Sequence, residues 1–198
     1  MSYTLIRSSR RTIAIQINAE KGVVIRAPRL VSERRIEKFL KEKEDWVQKH
    51  LQKIEHNRAN TKKNKFEPGE KFPLLGKEII PPVHTKEFLT KWYRDKALHY
   101  LTKRTKELAK QNVLTPTKIQ IRSYRARWGT CSAKNVLTYN WRIIMAPPEV
   151  VDYLICHELA HIKHKNHGKH FYKLLSEIHP TYKTDRKYLR ENGHMLML

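Results

Sequence analysis

The chain has 198 residues, enough for one ordinary domain or for a compact domain with a small appended one. Hydrophobic residues make up 39% of it and charged residues 30%, a composition typical of globular proteins that excludes a disordered chain. Lysine and arginine outnumber aspartate and glutamate by 41 to 19, so the formal net charge is +22 and the protein attracts polyanions.

Further classes of protein are excluded by the arrangement of residues. No apolar run approaches the roughly 18 residues of a membrane span, so we expect no transmembrane helix. Residues 1–15 are basic and lack the apolar stretch and small-residue cleavage site of a secretory signal. The two cysteines, Cys131 and Cys156, are too few for a disulfide framework and fit a reducing compartment. These features predict a cytoplasmic protein.

The N-terminal part predicts a small antiparallel sheet followed by a long helix. Apolar and polar residues alternate over 13–17, turn-forming residues occupy 18–22, and 23–27 form the return strand of a hairpin. Apolar residues at helical spacing then predict one amphipathic helix over 33–55. The stretch 58–65 is rich in lysine and asparagine and predicts an exposed basic linker.

The remaining part predicts more helix than strand. Proline at the beginning of a helix and Asn-Gly at the end of one help to set the boundaries. In chain order the predicted elements are a hairpin around Gly76, a helix over 86–111, strands over 119–122 and 136–145, and helices over 150–163, 171–178 and 183–190.

One predicted helix, over 150–163, contains the sequence His-Glu-Leu-Ala-His at 157–161. His157 and His161 lie one turn apart on the same helix face, so their imidazoles can bind a single ion. Neutral imidazole is a good ligand for Zn²⁺, and the adjacent Glu158 can take a proton from a metal-bound water. The pattern predicts a metal hydrolase with one zinc per chain.

A catalytic zinc takes three protein ligands, and the third is harder to predict than the first two. The spacing of His157, His161 and His167 matches a pattern in which the chain turns after the helix and returns a third histidine. His164 occupies the glycine position of that pattern, so we expect the turn at another residue. In a straight helix His164 lies about 10 Å along the axis from His157, too far to share its ion. Glu177 is the remaining alternative to His167.

Several further motifs resemble those of a known family. In chain order they are Arg-Trp-Gly-Thr-Cys-Ser at 127–132, Asn140 with Arg142, Pro147-Pro148, Asp152-Tyr153, the histidine motif, Asn166-His167 and Phe171. Together they resemble the YgjP-like metallopeptidase family, most strongly over 119–190. The chain is similar also to the SprT-like and WLM groups, some of which act on proteins bound to DNA. The resemblance implies a zincin-type domain with His157, His161 and His167 on zinc and Glu158 as the base.

These observations lead to an expected fold and function. We expect an α+β fold, with a β-rich region, long helix and basic linker over 1–85 and a zincin-like metallopeptidase domain over 86–198. The expected activity is zinc-dependent hydrolysis of peptide bonds, with a metal-bound water activated by Glu158. The alternatives are a metal-dependent hydrolase of another bond, such as a nucleotide phosphoanhydride, and a DNA-associated zinc protein acting on DNA-bound proteins.

Two further sets of residues are candidates for contacts with a substrate or partner. Arg127, Tyr139 and Tyr124 are candidates for stabilising an oxyanion beside the metal. Lys62, Lys63 and Lys65 in the basic linker are candidates for weak, non-specific contact with nucleic acid.

Overall fold

The structure, a computed structural model, describes residues 2–18, 21–60, 64–82 and 85–198. Its helices and small sheets confirm the α+β class. Contacts between residues divide the chain into two compact units, Met1–Lys62 and Lys63–Leu198. The functional division after residue 85 stays a prediction. Within the described residues, no helix has both the length and the apolarity needed to cross a bilayer.

The first unit begins with a three-stranded sheet. Its strands are β1 (Thr4–Ser8), β2 (Ala14–Asn18) and β3 (Gly22–Pro28), in the order β1-β3-β2. β2 and β3 form the predicted antiparallel hairpin, whereas β1 pairs with β3 in parallel. The sheet is therefore mixed, because β1 occupies the edge of β3 that the hairpin leaves open.

Two helices follow where the periodicity predicted one. Helix α1 spans Glu33–Glu42 and α2 spans Glu44–Asn60. Lys43 leaves the helical conformation, with φ −109° and ψ 13°. Neither proline nor glycine marks this break, and Leu40 and Val47 keep helical spacing across it, so the apolar pattern concealed it. The predicted linker also begins too early, because its first three residues belong to α2.

The second unit contains the predicted short hairpin, a long helix and a second three-stranded sheet. These elements are β4 (Phe72–Leu74), β5 (Lys77–Ile79), α3 (Lys86–Gln111), β6 (Lys118–Arg122), β7 (Gly129–Cys131) and β8 (Val136–Asn140). The order of the sheet is β6-β8-β7, with β6 parallel and β7 antiparallel to β8. Strand β7 therefore lies at an edge of this sheet.

The predicted strand over 136–145 is correct only in its first half. After β8 the chain forms a 3₁₀ helix, Trp141–Met145, capped by the Asn140 side chain, which accepts a hydrogen bond from the Arg142 N–H at 3.3 Å. Most side chains of this turn are fully or almost fully buried. A short run of almost only apolar residues shows neither the alternation of a strand nor the spacing of a helix, so the pattern cannot distinguish the two there.

Three α-helices follow, α4 (Pro148–Lys163), α5 (Lys169–Ile178) and α6 (Tyr182–Asn192), and a 3₁₀ helix at Gly193–Leu196 completes the unit. Pro148 occupies the first turn of α4, where its missing N–H costs nothing. Helix α4 contacts α3, α5, α6 and β7, and most of its side chains are buried. The predicted metal-binding helix is thus a core helix with fixed neighbours.

Candidate metal centre

Three histidine side chains converge between α4 and α5. His157 and His161 lie one turn apart on α4, and His167 belongs to the segment that joins the two helices. The Nε2 atom of His167 lies 3.1 Å from Nε2 of both His157 and His161. Three nitrogens bound at 2.0–2.1 Å to one tetrahedral ion lie about 3.3 Å apart. The three imidazoles therefore converge closely enough to bind one metal ion.

The rings of this histidine triad are held in place by their neighbours. Nδ1 of His161 donates to the carbonyl oxygen of His164 at 3.0 Å, which leaves Nε2 with its lone pair directed at the other rings. Phe171, fully buried on α5, packs with its ring centroid 5.0 Å from His157, 4.5 Å from His161 and 4.7 Å from His167. One aromatic side chain thus supports all three imidazole rings.

The chain bends after His164, at Lys165, Asn166 and Gly168, which agrees with the expectation that the turn lies at a residue other than His164. Helix α4 ends at Lys163, and His164 adopts an extended conformation with φ −127° and ψ 98°. This conformation does not require glycine. The ring of His164 stacks on that of His170, with centroids 5.9 Å apart, and it is not part of the triad. Glu177 is exposed on α5 and does not join the triad either.

Lys165 ties the segment carrying His167 to the second sheet. Its Nζ donates to Oδ1 of Asn135 at 2.7 Å and to the carbonyl oxygen of Ser132 at 3.0 Å, both in the turn between β7 and β8. Asn135 has φ +56°, a left-handed conformation that asparagine tolerates. Sequence reasoning missed Lys165, because the contact joins residues 30 positions apart and leaves no local signal.

Burial favours the metal-binding, neutral form of the two imidazoles on α4. It lowers the pKa of His157 to about 3, with further contributions from the nearby His161, His167 and Arg186 charges. Burial also lowers the pKa of His161. Both rings are thereby favoured as neutral imidazoles, and neutral imidazole is the ligand form.

Glu158, which lies between His157 and His161 in sequence, is almost completely buried, with 4% of its surface exposed. Burial raises the pKa of its carboxyl group to about 8. Its neighbour on β7 is Gly129, where an added Cβ would lie 2.6 Å from Oε1 of Glu158 and 2.8 Å from its Cγ. Strand β7 therefore approaches the carboxylate so closely that only glycine leaves it room.

Comparison with known families agrees with this geometry. The family model described as "YgjP-like, metallopeptidase domain" matches residues 11–85 and 80–192. The chain belongs to the YgjP-like family. No curated protein matches the chain, and neither does any solved structure. Membership confirms the resemblance drawn from the motifs, and it implies a divalent metal, for which the histidine triad provides three ligand atoms.

In the YgjP-like chain, a cleft of about 290 Å³ adjoins His157 and Glu158. It lies between α4, α6 and the residues that open β7. Its lining consists of Trp128, Gly129, Tyr153, Leu154, His157, Glu158, Arg186, Leu189 and Arg190. We call it the α4–α6 cleft. Sequence reasoning did not assign a site role to the residues contributed by α6, which are brought here only by the packing of α6 on α4.

Of the predicted oxyanion stabilisers, Arg127 and Tyr124 do not line the α4–α6 cleft, and Tyr139 is closed to solvent. Tyr139 is fully buried, and its hydroxyl accepts a hydrogen bond from Oγ1 of Thr105 at 3.3 Å, so it has no surface open to a substrate. The guanidinium of Arg127 lies 5.7 Å from the ring centroid of Tyr124. The carbonyl groups of these two residues accept hydrogen bonds from Nδ2 of Asn140 at 3.2 and 3.0 Å.

The predicted nucleic-acid contacts are described only in part. Lys62 and Lys63 lie outside the described residues. Lys65 is exposed, and its backbone N–H donates to the Glu70 carboxylate, with N···O distances of 3.1 and 3.3 Å. The side chain of Lys65 is thus open to solvent, while its backbone is fixed by an acidic residue of the same segment.

Proposed function

We propose that this protein is a zinc-dependent metallopeptidase that hydrolyses peptide bonds, with His157, His161 and His167 as the zinc ligands. The observation that carries the proposal is the convergence of three imidazole nitrogens beside one buried carboxylate, Glu158. Structural zinc sites are normally closed by four protein ligands. Three ligands leave one position open, which is the arrangement of a catalytic site.

Glu158 is the general base of this proposal. Zinc bound to the triad would polarise the scissile carbonyl and make water a stronger nucleophile. The Glu158 carboxylate accepts a proton from the attacking water and then donates it to the leaving amine. A pKa near the working pH suits a group that must both take and release a proton, and burial raises this pKa to about 8.

The position of β7 favours a peptide as the substrate. β7 is an edge strand, packs against α4, and begins at Gly129 beside the Glu158 carboxyl group. The free N–H and C=O groups of an edge strand can pair with an extended peptide. A nucleotide phosphoanhydride hydrolase would instead use carboxylates to hold magnesium. Over the described parts of the chain, the His triad is the one group of three or more potential metal ligands.

The test compares the parent protein with Glu158→Gln, which keeps the shape of the side chain and cannot take up a proton. Both proteins are loaded with zinc and incubated with a mixture of unfolded proteins, and new amino termini are counted. We expect Glu158→Gln to retain zinc and lose about 100-fold or more of the hydrolysis, the usual contribution of a general base. Hydrolysis at the parent rate by the zinc-loaded variant would show that the base lies elsewhere.

His164→Ala provides the matched control for this experiment. It removes a histidine from the same segment without removing a triad member. The carbonyl oxygen that accepts from His161 belongs to the backbone and is retained. We therefore expect this variant to bind zinc and hydrolyse peptides as the parent does. A parent protein that binds zinc and releases no amino termini from any of the unfolded proteins would contradict the peptidase proposal.

A further inference from the structure

The wall of the α4–α6 cleft formed by α6 is cationic. Arg186 and Arg190 lie one helical turn apart, both are exposed, and both line the cleft together with His157 and Glu158. Glu158 is the one acidic side chain in the lining, against the two arginines. The cleft beside the proposed metal therefore carries an excess of positive charge.

Arg186 makes no ion pair with a carboxylate within the described residues. Its Nη1 donates to the hydroxyl of Tyr172 at 3.4 Å, and its guanidinium lies 5.9 Å from the Tyr172 ring centroid. Arg104 of the same unit differs, because its guanidinium binds both carboxylate oxygens of Asp152, at 2.8 and 2.7 Å. Arg190 contacts the carboxylate of Glu191 at 3.4 Å. Of the two guanidinium groups on this wall, that of Arg186 is therefore the one that is able to bind a carboxylate.

We infer that Arg186 binds a carboxylate of the substrate, so that the enzyme prefers peptide bonds next to an acidic side chain or next to a C-terminal carboxylate. A guanidinium offers two parallel N–H donors that match the two oxygens of a carboxylate. The apolar side chains of Leu154 and Leu189 line the same cleft and reduce competition from water. This inference rests on the proposed function, because it takes the cleft beside the zinc ligands as the place where substrate binds.

Binding of three peptide hydroxamates to the zinc-loaded protein tests the inference without relying on hydrolysis. The first carries a glutamate side chain and a C-terminal amide, the second an alanine and a free C-terminal carboxylate, and the third is neutral at both places. Calorimetry gives the three dissociation constants. We expect one of the two anionic ligands to bind at least about tenfold more tightly than the neutral one, as a charged hydrogen bond allows. The ligand that binds more tightly identifies the source of the carboxylate.

Two variants separate Arg186 from the general charge of α6. Arg186→Met removes the guanidinium and keeps a long apolar stem. Lys187→Met removes the same charge from the next residue of α6, which is exposed and does not line the cleft. We expect Arg186→Met to abolish the preference for the anionic ligand, with little change for the neutral one, and Lys187→Met to retain the preference.

Three results would overturn the inference. They are equal binding of the three ligands by the parent protein, failure of all three to bind, and a preference for the anionic ligand that survives Arg186→Met. None of these is confused with failure of the peptidase proposal, which is measured separately as the release of amino termini from unfolded proteins. A protein that cleaves peptides and shows no anionic preference contradicts the role of Arg186 alone.

Discussion

The histidine triad is placed by two different kinds of structure. His157 and His161 lie on α4, a core helix whose geometry alone puts them on one face. His167 lies on a short segment outside any helix, and its position depends on the contacts of that segment with Phe171 and with the sheet through Lys165. The positions of His157 and His161 therefore follow from local periodicity, whereas that of His167 follows from tertiary contacts.

The largest expected effect comes from removing a ligand from either place. His161→Ala and His167→Ala should each lower zinc affinity by more than about 100-fold, because the loss of a direct ligand exceeds the 10–100-fold loss typical of an outer partner. Competition with a chelating dye measures the affinity. A His167→Ala variant that binds zinc as tightly as the parent would show that the loop histidine is not a ligand.

The approach of β7 to α4 gives the next largest effect. Gly129→Ala would place a Cβ 2.6 Å from Oε1 of Glu158, so the carboxyl group must move from its position beside the histidine triad. We expect a loss of about 100-fold in the rate of peptide hydrolysis, comparable to loss of the base, with zinc still bound. The measurement is the initial rate on a cleaved peptide at saturating zinc.

Gly168→Ala is the matched control for this substitution. An added Cβ at residue 168 meets no atom within 4 Å, and the backbone there has φ −87°, which alanine adopts without strain. We expect the parent rate from this variant. An equal loss from Gly129→Ala and Gly168→Ala would mean that crowding of Glu158 is not the cause.

Lys165 gives a smaller effect that bears on the loop ligand alone. Lys165→Met removes the two hydrogen bonds that join the His167 segment to the turn between β7 and β8. We expect zinc affinity to fall by about tenfold, the lower end of the range for partners outside the ligand set. Lys163→Met, an exposed lysine at the end of α4, serves as the control and should bind zinc as the parent does. Equal affinities for parent and Lys165→Met would contradict the positioning role.

The smallest expected effect concerns the charge of the basic linker and of the chain as a whole. We propose that the protein binds nucleic acid weakly and without sequence preference, as its net charge of +22 suggests. The logarithm of affinity for duplex DNA should fall linearly with the logarithm of salt concentration, with a slope of about 0.9 per phosphate contacted. Neutralising Lys62, Lys63 and Lys65 should lower that slope and leave peptide hydrolysis unchanged. Undetectable binding at about 50 mM salt would contradict the proposal.

The parts of the molecule that the sequence predicts well share one property. Their signals lie within a few turns of one element, as in α3, whose bounds coincide with the predicted helix, and in the pair His157 and His161. Tyr139, expected to stabilise an oxyanion, lacks such a local signal. The sequence pattern of β8 does not reveal that the Tyr139 side chain points into the core. Arg186 was likewise not assigned to the site, because its approach to His157 depends on how α6 packs on α4. Such contacts depend on tertiary packing rather than on spacing.

Zinc K-edge X-ray absorption of the zinc-loaded protein tests the central claim most directly, because it reports the number and type of ligand atoms. The account predicts three imidazole nitrogens at about 2.0–2.1 Å and one further oxygen from solvent, with the spectrum unchanged in His164→Ala and one imidazole fewer in His167→Ala. A spectrum with four protein ligands, or with sulfur from Cys131 or Cys156, would describe a closed structural site. That result would contradict the proposal that this metal centre is catalytic.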